Sequence, residues 1–270
     1  MNSDALSPNL NVLLLSAGYG TRLKKRGQNT PKGLFKNGQK LTITDMMLAK
    51  INQLSTVKNI AMVSNHRFFD QYRQHLETKH PQQKIKILDD GSNESESRLG
   101  SLGDLVFALD KLDWWQQNVM VLPSDRTPED IVANLVATFV QHPESFITCV
   151  YQDTKENIKL KSGCAELDKN NRVINFEEKP AEPKTNLRGL PFYIFPAKSL
   201  ALIKKYQQTG HNMDSPGNIV PWLLENNYPV HAYVTKTNSF DIGDLVELAR
   251  FEKEYWFAHP KKIRSKLTKI

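Results

Sequence analysis

Between Leu13 and Leu34 the chain reads LLLSAGYGTRLKKRGQNTPKGL, an apolar run that opens into Gly18 and Gly20. Arg22, Lys24, Lys25, Arg26 and Lys32 follow, with no acid among them. Glycines let backbone N–H groups approach a ligand closely, and cations beside them suit a phosphate-rich anion. A triphosphate, a dinucleotide and a nucleic-acid backbone all answer that description. Two common phosphate loops do not fit. A dinucleotide-binding turn needs a third glycine where GYGTRL has Leu23, and the G-x-x-x-x-G-K-[ST] spacing of a P-loop is absent. What remains is a glycine turn with Arg22 and Lys32 supplying charge, or else a plain strand-to-helix turn flanked by solvated lysines.

The elements around the loop narrow the context. NVLLLSAG, NIAMVSN, KIKILDD, NVMVLPSD and SFITCVYQ each read as a buried strand ending in small or polar residues. Helix-period segments separate them: TDMMLAKINQLS, RFFDQYRQHLETK, GSLGDLVFALDKL and TPEDIVANLVATFVQH. Such alternation predicts a Rossmann-like three-layer α/β/α fold around a mostly parallel central sheet, in which ligands bind at the carboxyl ends of the strands. After Tyr151 the strands shorten into a small β-rich subregion. It begins with a hairpin turning at Asn170-Asn171 and continues through LRGLPFYIFP, two helices near residues 198–208 and 216–225, the strand VHAYV and a closing helix DLVELARFEKEYWF. A single domain over residues 1–258 is expected, its second half an embellishment on the same sheet.

Charge and composition exclude several classes. The net charge is +7, but it is concentrated between Ala5 and Thr44 and in a basic tail, HPKKIRSKLTKI, at 259–270, so the rest of the chain is net acidic. A nucleic-acid coat protein would spread its basic stripe over a face. The tail reads as a solvated helix end, with membrane or nucleic acid as weaker alternatives. Cys149 and Cys164 are too few for a disulfide scaffold and read as core thiols. The histidines show no metal-ligand spacing, so no structural zinc is expected. With no signal peptide and no apolar run long enough to span a bilayer, the chain is expected to be cytoplasmic, without stable membrane insertion and without nucleic acid as a partner.

GYGTRL followed by TPK, with Lys32 ten residues after Arg22, resembles the signature of the sugar-nucleotide pyrophosphorylases, the nucleoside-triphosphate:sugar-1-phosphate nucleotidyltransferases. RLGSLGDL resembles that family's glycine-rich segment along the base, VLPSD its strand ending in a metal-binding acid, FEEKP its sugar-site E-K-P, and FDIGD its late D-I-G. All five stand in the family's order. The resemblance implies a nucleotide-binding half at 12–150 and an acceptor-binding half at 151–258. It implies transfer of a nucleotidyl group from an NTP to a sugar-1-phosphate, with Mg²⁺ as cofactor and a homo-oligomer compatible with the family. Ala17, Gly18, Gly20 and Thr21 would hold the triphosphate, with Arg22 on the departing pyrophosphate. Lys32 would neutralise charge where the α-phosphate meets the acceptor, and Asp90, Gly100 and Gly103 would lie along the base. Gly163, Glu178, Lys179 and Tyr193 would meet the acceptor, and Asp125 and Asp241, each ending an apolar strand, would hold the metal. Each acid also has a plainer reading, Asp125 as a helix or turn cap and Asp241 as the acid that orders the turn before Asp244.

Three departures qualify the match. Lys25-Arg26-Gly27 replaces the family's Pro-Leu-Thr, predicting a more basic and more mobile loop, and the family's P-K-P is here Pro31-Lys32-Gly33. Arg188-Gly189-Leu190-Pro191 stands where Asn-Ala-Gly is usual. A cytidylyltransferase for phosphocholine or another alcohol phosphate remains open, with Tyr193, Trp222 and Phe192 as candidates for a quaternary-amine cage. So does a nucleotide-sugar sensor that has lost turnover.

Overall fold

The computed structural model describes residues 9–253, so the basic tail at 259–270 lies outside the described residues. The strands are β1 (Leu10–Leu15), β2 (Val57–Ser64), β3 (Ile85–Asp89), β4 (Asn118–Pro123), β5 (Phe146–Gln152), β6 (Cys164–Leu167), β7 (Val173–Glu177), β8 (Leu187–Phe195) and β9 (Val230–Thr235). The α-helices are α1 (Lys24–Asn29), α2 (Ile43–Ile51), α3 (His66–Lys79), α4 (Ser101–Leu112), α5 (Ile131–Gln141), α6 (Lys155–Ile158), α7 (Ala197–Gln208), α8 (Ile219–Glu225) and α9 (Leu245–Lys253).

The strand order is β3-β2-β1-β4-β8-β5-β9, with the β6–β7 hairpin attached through β8. β1, β2, β3 and β4 run parallel, as do β5 and β9, whereas β8 is antiparallel to both β4 and β5. β1 is the innermost strand of its half, and its LNVLLL is apolar on both faces because helices cover both. Leu13, Val119 and Phe195 pack on one side with Leu105 and Leu109 of α4 and Ile203 of α7. On the other, Val12, Leu14 and Met120 meet Leu48 of α2, Phe68 of α3 and Phe139 of α5. The free thiols Cys149 and Cys164 are buried, as expected of core thiols.

All five strands read from the first half are present. The second half goes further than an embellishment: β8, from residue 187 onward, lies between β4 and β5, which have no pairing with one another. The loop after Gly20 also departs from expectation. Lys24–Asn29 is helical, and a Cβ on Gly27 would overlap the Gly20 carbonyl. Arg26 makes two bonds to the Glu252 carboxylate, at 3.0 and 2.6 Å. A third apolar cluster joins Leu23 and Phe35 to Ile242, Leu248 and Phe251, so α9 holds the basic loop down. The pinning is physical: a helix with one buried glycine and a buried leucine before it has a packed face, which lysine-rich composition alone does not reveal.

Candidate active site

β1 delivers the chain to the carboxyl edge of the sheet, where Ser16 N–H still bonds to the Val63 carbonyl at 2.8 Å. The turn that follows needs the left-handed backbone of Gly20, at φ 61°. Ala17, Gly18, Gly20, Thr21 and Arg22 line one pocket together with Arg98, Gly100, Asp104 and Asp214. A second pocket holds Asp125, Arg126, Asp241, Ser215 and Pro216. The two share Ala17, Gly18, Lys32, Ser101 and Asp104, forming one cleft with Lys32 at its waist.

Lys32 owes its position to the residue after it. Gly33 donates its N–H to Tyr72 Oη at 3.3 Å, and its carbonyl accepts from Thr44 Oγ1 at 3.0 Å. A Cβ there would stand 2.8 Å from Tyr72 Oη and 2.9 Å from both the Ser124 carbonyl and Thr44 Oγ1. Glycine is therefore the residue that fits between α2, α3 and the end of β4. Burial pushes the Tyr72 hydroxyl up to about 12, so it serves as a neutral hydrogen-bonding group.

Asp125 and Asp241 come to the same rim. Ile242 N–H donates to the Asp125 carbonyl at 3.2 Å and Thr127 N–H to the Phe240 carbonyl at 3.0 Å, stitching the DIG segment beside the end of β4. Lys32 Nζ pairs with Asp125 Oδ2 at 3.0 Å, and Arg126 Nη2 with Asp241 Oδ2 at 2.5 Å. Burial works to raise the Asp125 carboxyl, but Lys32 and then Arg126 outweigh it and hold the group below its ordinary value. The result is two carboxylates and two cations in alternation, electrically balanced.

Beside the first pocket, Asp90 accepts from Ser92 N–H and Ser92 Oγ, both at 2.7 Å, while Tyr19 Oη donates to Ser92 Oγ at 2.8 Å. Asp90 lines neither pocket; its carboxyl lies beside that of Asp104, which lines both. Asp104 is 5% exposed, and burial first, then the charge of Asp90, pushes its carboxyl up to about 8. Asp90 is raised too, chiefly by burial. Asp90 Oδ2 and Asp104 Oδ1 are buried and face no donor, a strain that one proton held by the pair relieves. Gly100, at φ 78°, lies against the chain itself: a Cβ would stand 2.6 Å from the Met213 carbonyl. The α4 N–H groups of Ser101 and Leu102 bond to the carbonyls of Asp214 and Met213 at 3.1 and 2.9 Å. Gly103 packs on Leu99, outside the lining of both pockets.

Gly163, Glu178 and Tyr193 gather beside the second pocket around Gly217. A Cβ on Gly217 would overlap Glu178 Oε2, and one on Gly163 would overlap the Phe176 ring. Burial raises the Glu178 carboxyl, against Lys179 and a hydrogen bond from Ser215, which itself lines the pocket. Tyr193 is buried, and Lys179 is exposed on left-handed backbone at φ 50°. Arg188, at the departure from Asn-Ala-Gly, turns to Asp153 at 2.6 Å and Asn238 at 2.6 Å.

Sequence reasoning missed Gly33, Arg126 and Asp104. Gly33 stood in plain view as the residue replacing the family's second proline, and Arg126 adjoins Asp125. Asp104 gave a signal as well, an acid within the otherwise apolar face of α4.

A glycine turn at the end of a central parallel strand, with a cleft of cations and rim carboxylates in front of it, defines an α/β protein with a charged cleft at the carboxyl ends of its strands. The family model described as Nucleotidyl transferase matches residues 11–256, and the chain belongs to that family. It is 25% identical over 255 residues to the glucose-1-phosphate adenylyltransferase of Clostridium novyi (strain NT), a match covering 88% of this chain and 64% of that protein's length. A Bacillus anthracis crystal structure described as a glucose-1-phosphate thymidylyltransferase in complex with a sucrose has the same fold, with a TM-score of 0.69 at 18% identity over 89% of this chain and 93% of that one.

Proposed function

We propose that the protein transfers a nucleotidyl group from an NTP to a sugar-1-phosphate, giving an NDP-sugar and pyrophosphate. The observation that carries this reading is the single cleft with Lys32 at its waist, between a glycine-and-arginine pocket and the Asp125–Asp241 rim. An oxygen of the acceptor phosphate attacks the α-phosphorus, and the bond to the bridging oxygen of pyrophosphate breaks. No protein nucleophile is required. Catalysis rests on positioning and on charge neutralisation. The backbone from Ala17 to Thr21 cradles the triphosphate, Arg22 meets the leaving pyrophosphate, and Lys32 leaves Asp125 to neutralise charge at the α-phosphate.

The rim fits Mg²⁺. Asp125 and Asp241 supply hard oxygen donors, and their present partners are side-chain cations that a divalent ion can replace. When bound, the ion would polarise phosphate oxygens and bring the triphosphate to the rim. Arg126, released from Asp241, is then a further cation for phosphate. On the acceptor side, Glu178 meets sugar hydroxyls and Lys179 the acceptor phosphate, with Gly163 and Gly217 keeping backbone close.

A sugar phosphate is favoured over phosphocholine by the aromatic residues. Phe192 and Tyr193 sit in the cores on opposite faces of the sheet, and Trp222 packs with Tyr206 and His211. The three do not form a cage. The test is pyrophosphate release with Mg²⁺ across all NTPs crossed with a panel of sugar-1-phosphates and phosphocholine, with Asp125→Asn as the blank. A productive sugar-1-phosphate pair is expected. Turnover with phosphocholine alone, or nucleotide binding without turnover across the panel, overturns the reading in favour of the cytidylyltransferase or the sensor.

A further inference from the structure

Away from the cleft, α2 and α3 meet at Asp45, His75 and His80. Asp45 Oδ1 lies 2.8 Å from His75 Nε2 and 2.7 Å from His80 Nε2, and one donor atom from each residue falls within 4.8 Å of the others. The histidine spacing in the sequence gave no metal motif. The fold creates one, because His75 lies in α3, His80 caps its end, and Asp45 is the third residue of α2.

Two features make this more than an ion pair. The Asp45 carboxylate is pre-oriented: Oδ2 accepts from Thr42 N–H at 2.9 Å in the capping box of α2, which leaves Oδ1 directed at both imidazoles. The second is Gln83. Its Nε2 lies 3.3 Å from His80 Nδ1, while its Oε1 is buried with no partner. With the amide end turned over, Oε1 accepts from an Nδ1–H and the amide NH2 takes the buried place that Oε1 now occupies. His80 Nε2 then presents to the carboxylate oxygen at 2.7 Å either a second N–H, as imidazolium, or a lone pair that a metal cation between them takes up. The side chains of Asp45, His75 and His80 are 16, 13 and 15% exposed, so the cluster retains an opening for a water ligand.

We propose that Asp45, His75 and His80 form a binding site for a divalent transition metal of the zinc class, with Gln83 orienting His80 from behind. Two imidazoles and one carboxylate select such an ion over Mg²⁺ or Ca²⁺, which prefer all-oxygen shells. Nitrogen and oxygen ligands about 2.0–2.2 Å from zinc require the two imidazole nitrogens to draw back from Asp45 Oδ1 by only about half an ångström. The ion would clamp α2 to α3. Thr44 adjoins Asp45, and Tyr72 is one turn before His75, so the clamp sits beside the two side chains that hold Gly33 and hence Lys32.

The test uses the full chain carrying Asp125→Asn and Asp241→Asn, so that the rim cannot take the ion. Metal-stripped protein is titrated with Co²⁺, whose visible absorption in a nitrogen-and-oxygen site is followed, and then with Zn²⁺ as competitor. One equivalent bound, displaced by zinc, and a zinc-dependent rise in Tm are expected. His75→Gln with His80→Gln, or Asp45→Asn should the double variant misfold, should abolish the absorption, and Gln83→Leu should weaken binding about 10–100-fold. Absence of the absorption, its persistence in the variants, or a Tm indifferent to zinc would overturn the proposal and leave an Asp–His ion-pair cluster.

Discussion

At the scale of residues, the proposed chemistry rests on a few charges, of which Lys32 and Asp125, and Arg126 and Asp241, are already paired with one another. In the proposed reaction Lys32 and Arg22 are pre-placed cations, so Lys32→Ala and Arg22→Ala are each expected to lower kcat by about 10²–10³, roughly 3–4 kcal/mol. Steady-state pyrophosphate release checks this, and near-normal turnover in either variant would refute the assignment. Asp104 makes a different prediction. Its folded value, about 8, stands above that of an unfolded aspartate, so the native state holds an extra proton between about pH 4 and 8 and loses stability as pH rises through that window. Asp104→Asn keeps a donor for Asp90 without the charge. It should flatten that dependence and stabilise the fold by about 1–3 kcal/mol at pH 8, read from urea melts at several pH values. An unchanged pH profile would mean that the carboxyl pair is not sharing a proton.

Elements decide whether those charges meet. The end of β4 and the DIG segment bring together acids 116 positions apart in sequence (125 and 241), and the contacts of Gly33 with α2 and α3 set the height of Lys32. Gly33→Ala should cost about 1–3 kcal/mol through overpacking. It should also depress turnover by up to about 10²-fold by displacing Lys32, because misplacement of about 1 Å is felt that strongly. A variant with lowered stability but wild-type kcat would separate the two effects and sink the positioning argument. At this scale the sequence was most informative where one strand is buried on both faces. β1 and β4 announced themselves as apolar runs, with the glycine turn and Asp125 just past their ends, whereas Asp241 does not end a strand as expected but follows β9 by six residues and is placed by its bridge to Arg126. Ion pairing between Arg126 and Asp241 was invisible, since it depends on how a distant segment docks. The Asp45–His75–His80 cluster escaped for the same reason.

Across the whole molecule, the position of β8 governs cooperativity. LRGLPFYIF is apolar enough to read as a strand, but nothing in its pattern reveals that it runs antiparallel through the middle of the sheet. β5 finds its neighbours only in β8 and β9, so a fragment ending at residue 150 leaves the end of the 12–150 half without a partner. Such a fragment is expected to lack a cooperative thermal transition, whereas co-expression with residues 151–270 should restore one. A fragment that melts sharply by calorimetry would show that β1 to β4 suffice as a folding unit.

The alternation of Lys32, Asp125, Arg126 and Asp241 has a thermodynamic reading. In this structure each carboxylate occupies a cation much as a phosphate would, and each cation occupies a carboxylate much as a metal would. In the proposed function, loading the cleft is therefore an exchange of partners. On the proposed reading, metal alone would evict two cations that gain nothing in return, and triphosphate alone would strand two acids, whereas the metal–nucleotide pair would repartner all four at once. Calorimetry should accordingly find weak affinity for Mg²⁺ or NTP separately and mutual reinforcement when both are present, a coupling that Arg126→Ala diminishes by emptying one half of the exchange.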